Sequence, residues 1–352
     1  MVIGKDPMKL MEALQKRAGY KLKGVGKPEY YLGADFSRSE DGKNTLTIGA
    51  KTYIKNCLAT YVSLTGEEAK ATANPLEPGD HPELDASPEC DEVGKKQFQS
   101  LLGMLQWIVT IGRFDIQVAV MTLGRFRAAP RQGHLQRAKK IFGYLKKYQD
   151  GAIKFKTEVP DYSKFKYEEP DWSYVYGDAK EEIPKDMPIP KGKPVTTTTF
   201  VDANLAHCMV TGRSCTGVLH MLNKTPIDWY AKRQGTVETA TYGSEFVAAR
   251  QATEQVMDLR YTLRMLGARL EGPTYMFGDN LSVIVSSTIP QSSLKRRHNA
   301  LSYHRVREAI ASGVIRFFHI DGKSNPADVL TKHLSNHVRY PLIQPFLFWL
   351  KD

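Results

Sequence analysis

From Thr196 onward the apolar residues switch period more than once, and that pattern constrains the fold more than anything else in the chain. Residues 196–201, 217–222 and 227–231 are short runs of β-branched and aromatic residues, the composition of half-buried strands. A long helix is predicted from about Thr239. There Ala252, Val256, Leu259, Leu263 and Leu266 recur every three or four residues until Gly267 can end it. Residues 274–277 read as a fourth strand, 301–311 as a helix and 314–320 as a fifth strand, with a last helix starting near Asp328. The order β-β-β-α-β-α-β-α predicts an α/β fold, α+β in part, with a mixed five-stranded sheet and flanking helices.

Four acids, Asp202, Glu245, Asp279 and Asp328, punctuate this region. Asp202 is expected at the exit of the first strand and Asp279 at the end of the fourth, so neighbouring strands would set their carboxylates side by side. Glu245 lies in the first turns of the long helix, where Ala248, Ala249 and Ala252 allow a close approach to the sheet. Asp328 follows Asn325-Pro326-Ala327, and Pro at the first helical position with an acid in the first turn are both favoured there. Any one of these acids is as readily a turn or cap residue. Converging together they repel strongly, and no histidine or arginine is placed to neutralise all of them. Divalent cations are therefore expected: two Mg²⁺ ions, with Mn²⁺ able to substitute, in the layout of a two-metal nuclease.

The rest of the chain is consistent with a polyanionic partner. It carries 49 Lys plus Arg against 38 Asp plus Glu, a net charge of +11, which favours nucleic acid over solubility alone as the reason for the excess. Cys57, Cys90, Cys208 and Cys215 include no Cys-x-x-Cys pair, so neither a disulfide framework nor a common zinc site is indicated. His207, Cys208, Cys215 and His220 read as a strand pair. No apolar run reaches membrane-spanning length and the N-terminus has no signal-peptide profile, so a soluble intracellular chain without a membrane partner is expected.

Upstream, residues 9–17 look helical, and 29–36 and 45–48 look like strands about an Asp41-Gly42 turn. Pro75, Pro78, Pro82 and Pro88 exclude a continuous helix over 65–95, which reads as a long exposed loop. Residues 101–121 are strongly apolar. Leu135, Ala138, Ile141 and Leu145 then form one helix face and leave the cations of the run Arg125, Arg127, Arg131, Arg137, Lys139, Lys140, Lys146 and Lys147 elsewhere, a candidate duplex-tracking surface with a merely solvated face as the alternative. Residues 157–193 lack a sustained apolar period and read as a connector.

Several short words in the chain carry a resemblance. Phe200-Val201-Asp202-Ala203, Ser244-Glu245-Phe246-Val247-Ala248, Gly278-Asp279-Asn280 and Asn325-Pro326-Ala327-Asp328-Val329-Leu330-Thr331-Lys332 resemble the ribonuclease H region of copia-type LTR retrotransposon polyproteins. Tyr30-Tyr31-Leu32-Gly33, Ser100-Leu101-Leu102-Gly103 and Arg113-Phe114-Asp115-Ile116 resemble the segment that follows the polymerase active site of the same polyprotein. The resemblance implies a ribonuclease H-like domain at 196–340 that cleaves the RNA strand of an RNA/DNA hybrid, with the four acids as catalytic metal ligands. It further implies a palm and thumb remnant at 1–62, an exposed loop at 63–96, a helical thumb and connection segment at 97–156, a linker at 157–195 and a tail at 341–352. The chain contains no Asp-Asp dipeptide, and residues 2–6 resemble the strand after the polymerase hairpin, so polymerase activity is not expected. The implied partners are the hybrid and the remainder of the polyprotein, in a cytoplasmic retroelement particle or the nucleus.

Lys232 and Arg233, before the long helix, and Lys295, Arg296, Arg297 and His298, before the next one, are candidate phosphate grips, with solvated basic loops as the alternative. Related nucleases often place a histidine before the last acid. His319 stands there as a weak candidate and reads rather as the tail of a strand. Two competing readings are a catalytically silent nucleic-acid-binding fragment of a decayed element and a transposase-type integrase, which orders its acids Asp, Asp, Glu.

Overall fold

Residues 7–21, 28–38, 45–294 and 297–348 are described by the structure, a computed structural model. The Asp41-Gly42 turn, residues 2–6, Lys295 and Arg296 lie outside the described residues. The chain runs through α1 (Pro7–Ala18), β1 (Tyr30–Tyr31), β2 (Ala34–Arg38), β3 (Leu46–Gly49), α2 (Lys51–Thr65), α3 (Glu92–Thr110), α4 (Gln117–Gly124), α5 (Gln132–Lys147) and β4 (Ala152–Lys154). It continues through α6 (Ser173–Tyr176), β5 (Lys191–Val195), β6 (Thr197–Asn204), β7 (Cys215–Leu222), β8 (Thr225–Arg233), α7 (Thr241–Met265), β9 (Ala268–Leu270), β10 (Thr274–Gly278), α8 (Leu281–Thr288), α9 (Ala300–Ala311), β11 (Ile315–His319) and α10 (Asn336–Leu347).

The expected five-stranded sheet is present, in the order β11-β10-β6-β7-β8. Strands β6, β7 and β8 pair antiparallel, while β10 runs parallel to both β6 and β11. One face packs on α7 and α9 through Val201, Val218, Met276, Phe246, Ala252 and Val256. The small residues of α7 serve as anticipated: Ala248, Ala249 and Ala252 are buried and let the helix lie close. Gly267 follows α7 with a φ of 76°, which stops the helix.

The opposite face is covered by chain from elsewhere. Leu219, Met221 and Ala231 pack with Phe114 and Ile153 of the N-terminal half and with Ile343, Leu347 and Phe348. The residues expected as a tail are thus helical to Leu347 and part of a core, despite Pro341 and Pro345 inside α10. The connector also closes this face. Phe165 packs tilted against Phe277 and Phe318 with ring centroids 4.9 and 5.3 Å apart, and Tyr162 packs tilted against Tyr275 at 4.6 Å. Half-buried rings of this kind contribute on the order of 1–2 kcal/mol each.

The N-terminal half holds a four-stranded antiparallel sheet, β1-β2-β3-β4, and a core made by α2, α3, α4 and α5, including Ile54, Phe98, Leu102, Leu105, Ile141 and Phe142. Two expectations need correction. Residues 66–91 form no α-helix, as the prolines require, but they are not simply exposed: Ala69, Leu76 and Pro82 are buried. Their acids neutralise the cations of α5. Arg137 meets Asp80 at 2.8 Å, Lys139 meets Glu67 at 2.9 Å, Lys146 meets Glu68 at 2.7 Å, and Lys140 pairs with Glu77. These four cations of α5 are therefore occupied by acids from their own chain. Gly143 makes this possible, because a Cβ there would stand 1.9 Å from the carbonyl oxygen of Lys70.

The Arg113-Phe114-Asp115 word forms a buried ionic cluster. Arg113 donates to both Asp115 oxygens at 2.9 and 2.8 Å, Tyr144 donates to Asp115 at 2.6 Å, and Arg339 of α10 donates to the Tyr144 hydroxyl at 2.6 Å. It ties α10 to the N-terminal half.

Candidate active site

The acids are placed by register. Strand β6 runs on through Asn204, so Asp202 lies inside it rather than at its exit, opposite Gly217 of β7. Phe277 of β10 pairs in parallel with Phe200, and continuing that register by two residues sets Asp279 beside Asp202. Glu245 enters from the first turns of α7 and is buried. One carboxylate oxygen from each of Asp202, Glu245 and Asp279 lies within 4.8 Å of the others, and among the described residues this is the sole group of at least three His, Cys, Asp or Glu so arranged.

Asp328 is held differently. It sits in a 3-10 turn, Pro326–Leu330, rather than at the start of an α-helix. It stands outside the tight group of three, beside it. Asn325 caps the turn by accepting from Ala327 N at 3.1 Å and ties it to β6 by donating to Val201 O at 2.9 Å. Thr331 donates its hydroxyl to Asp202. The turn can lie this close to β7 only because Gly217 lacks a side chain: a Cβ there would meet Leu330 Cβ at 2.9 Å and Thr331 Cγ2 at 2.6 Å.

The sequence reading missed Lys332 as a site residue. Its ammonium lies 2.8 Å from Asp328 Oδ1 and 3.4 Å from Asp202. Its spacing of four residues from Asp328 was the available signal.

Charge in the site is unbalanced. Burial, then repulsion from Asp202 and Asp279, pushes the Glu245 carboxyl well above the usual carboxylate range. Burial followed by Asp202 raises Asp279 as well and lifts Asp328 to about 7. The Lys332 ammonium is opposed by burial, but Asp202 and Asp328 outweigh it and raise its pKa. One lysine among four carboxylates leaves the group short of positive charge. An all-oxygen donor set of this kind fits hard divalent cations such as Mg²⁺ or Mn²⁺.

The other sequence candidates divide. Lys232 is exposed and Arg233 half-buried at the end of β8. Arg297 is exposed, whereas His298 lies 3.3 Å from Glu238. Trp229 faces the N-terminal half, donating to Val109 O at 3.1 Å and lying against Phe114, so it is not placed to stack on a nucleotide. His319 ends β11, exposed, with Nε2 3.1 Å from the carbonyl oxygen of Asp279. His220 is buried between Thr199 and Gln255, as a strand residue would be.

No family model matches the chain. It is 25% identical over 336 residues to the retrovirus-related Pol polyprotein from transposon RE1 of Arabidopsis thaliana, covering 95% of this chain and 20% of that protein. The corresponding polyprotein from transposon TNT 1-94 of Nicotiana tabacum is 24% identical over 341 residues, covering 94% of this chain and 22% of that protein. This chain is similar to copia-type retrotransposon Pol polyproteins. It spans about one fifth of the length of those Pol relatives. Among solved structures, the N-terminal RNase H domain of rv2228c from Mycobacterium tuberculosis aligns at 12% identity with 43% of this chain and 97% of that one, TM-score 0.31. A foamy viral protease-reverse transcriptase in complex with RNA/DNA hybrid aligns at 13% identity with 46% of this chain and 22% of that one, TM-score 0.29. The main sheet of this chain is mixed: three antiparallel strands, then two parallel strands added beside the first.

Proposed function

We propose that this chain hydrolyses the RNA strand of RNA/DNA hybrids during reverse transcription of a retroelement. The observation that carries the reading is the meeting of Asp202, Glu245 and Asp279 within 4.8 Å, with Asp328 alongside. These acids would hold the divalent ions, and Asp328 would contribute once Lys332 yields its place. When bound, a pair of such ions activates water and stabilises the leaving 3′ oxygen of the cut strand. The chain's own part is positional: the β6–β10 register fixes two carboxylates, α7 supplies the third, and the Asn325-capped turn brings the fourth. Lys232, Arg233 and Arg297 are offered to phosphates, which suits recognition of hybrid shape rather than sequence. The remainder of the polyprotein is the natural partner, in a cytoplasmic particle or the nucleus.

The test is cleavage of a labelled RNA/DNA hybrid with Mg²⁺ or with EDTA, using Asp279→Asn as control. Cleavage that depends on Mg²⁺ and is lost in the variant supports the reading. Activity surviving either treatment, or hybrid binding without any turnover, refutes it.

A further inference from the structure

Two groups of cations in the N-terminal half and on β8 contrast. Arg137, Lys139, Lys140 and Lys146 of α5 are matched by acids of residues 66–91. A second set is not. A cleft of about 580 Å³ opens between the α3–α4 region and edge strand β8, bordered by Gln106, Gln117, Arg125, Arg127, Lys232 and Arg233, and its lining contains no acid. Among the described residues, Arg127, Lys232 and Arg233 make no ion pair with a carboxylate. Arg125 lies deeper. Its Nη2 donates to Cys208 Sγ at 2.7 Å, and its Nη1 is buried without a hydrogen-bond partner. An orphaned guanidinium nitrogen and three unpaired cations around one concavity make a receptor for an anion.

Its place relative to the carboxylates is given by register. Asp202 pairs with Gly217, and Gly217 pairs with Ala231, which lines the cleft. Two strand spacings separate them, roughly 10 Å. That corresponds to roughly three nucleotides of rise along one strand.

We infer that this cleft seats the phosphate backbone of one nucleic-acid strand, so that the N-terminal half, through Arg125 and Arg127, completes the binding surface of the nuclease. The inference rests on the hybrid-cleaving reading for its ligand and adds a subsite formed by two parts of the chain. Gln106 and Gln117 at the border suit sugar and phosphate oxygens, and the mixed polar and apolar lining needs no base-specific contact.

The experiment is fluorescence anisotropy of a labelled RNA/DNA hybrid with the full chain in EDTA, at salt between about 50 and 200 mM. Arg127→Ala, and Lys232→Ala with Arg233→Ala, should each flatten the plot of log affinity against log salt by about one per cation removed. Combining all three should weaken binding roughly ten- to a hundredfold at the middle of that range. Arg127→Lys should keep the wild-type slope, and Lys139→Ala with Lys146→Ala should leave it unchanged. An unchanged slope in the cleft variants, an equal loss in the α5 variants, or no hybrid binding by the wild type would overturn the inference. Thermal melts of each variant verify folding. Cleavage by the wild type with Mg²⁺ is scored separately: binding through the cleft without turnover supports the subsite while sinking the nuclease reading, and turnover with an unaltered slope does the reverse.

Discussion

Lys332 Nζ stands 2.8 Å from Asp328 Oδ1 while also reaching Asp202 at 3.4 Å, so a single ammonium spans two of the four site carboxylates. Removing it leaves both acids without the one cation that pairs with them among the described residues. Lys332→Met should lower the stability of the EDTA-treated protein by about 2 kcal/mol, the scale of a charged hydrogen bond. Magnesium should offset that loss and bind more tightly than to the wild type, since it no longer competes with an internal cation. Thermal melts at increasing Mg²⁺ check both. A variant as stable as the wild type in EDTA with an unmoved Mg²⁺ midpoint would show that the lysine is incidental.

Gly217 carries no chemistry, yet it sets the distance between β7 and the turn that bears Asp328. Gly217→Ala places a methyl against Leu330 and Thr331 and should cost about 1–3 kcal/mol as overpacking. The turn should yield before the sheet does. Hybrid cleavage is therefore expected to fall at least tenfold at temperatures where circular dichroism still reports a folded sheet; full activity in a folded variant would contradict the assignment of Asp328 to the site.

The Arg113–Asp115–Tyr144–Arg339 cluster is buried, so breaking it strands a charge. Arg113→Ala should destabilise the protein by about 3–5 kcal/mol. Tyr144→Phe, which removes one hydroxyl from between Asp115 and Arg339, should cost about 1–3 kcal/mol. Urea unfolding curves measure both, and a smaller loss for the arginine than for the tyrosine would reverse the expected ranking.

Glu181 lies between Arg260 and Arg264 of α7, at 2.6 and 2.5 Å. Burial opposes its ionisation, but the hydrogen bonds and charge of the two arginines prevail and lower its pKa to about 2. A carboxylate depressed in the folded state adds stability that is fully present above its unfolded value, near 4.5, and is lost as pH falls toward 2. Glu181→Gln should therefore flatten the acid limb of the stability profile between those values. Melting temperatures from about pH 2 to 6 decide it; an acid limb identical to the wild type would exclude the pair as a contributor.

How far the sequence could be read depended on whether local pattern and long-range pairing agreed. The five strands of the main sheet were legible because each is a short β-branched or aromatic run with its own boundary. Asp202 was misplaced by a few residues: Ala203-Asn204 after an acid looks like a turn, and only pairing with Thr216 and Cys215 carries the ladder past it. Helix α8 was missed because Val283, Ile284 and Val285 are poor helix formers, and it exists by virtue of the Asn280 cap and burial of Val283 and Ile284. The α5 cations looked available because the acids that occupy them lie about 50 to 80 residues away in sequence. Lys332 was visible only as a common surface spacing, and its meaning required β6.

The aromatic residues of the connector set a practical limit on how far this protein can be shortened. A version beginning at Thr196 would keep every acid of the site yet discard Tyr162 and Phe165, leaving the rings of Tyr275, Phe277 and Phe318 facing water. Such a trimmed chain would be sticky rather than merely smaller, and insolubility on recombinant expression would reflect a missing lid over its own sheet instead of any fault in the carboxylate group.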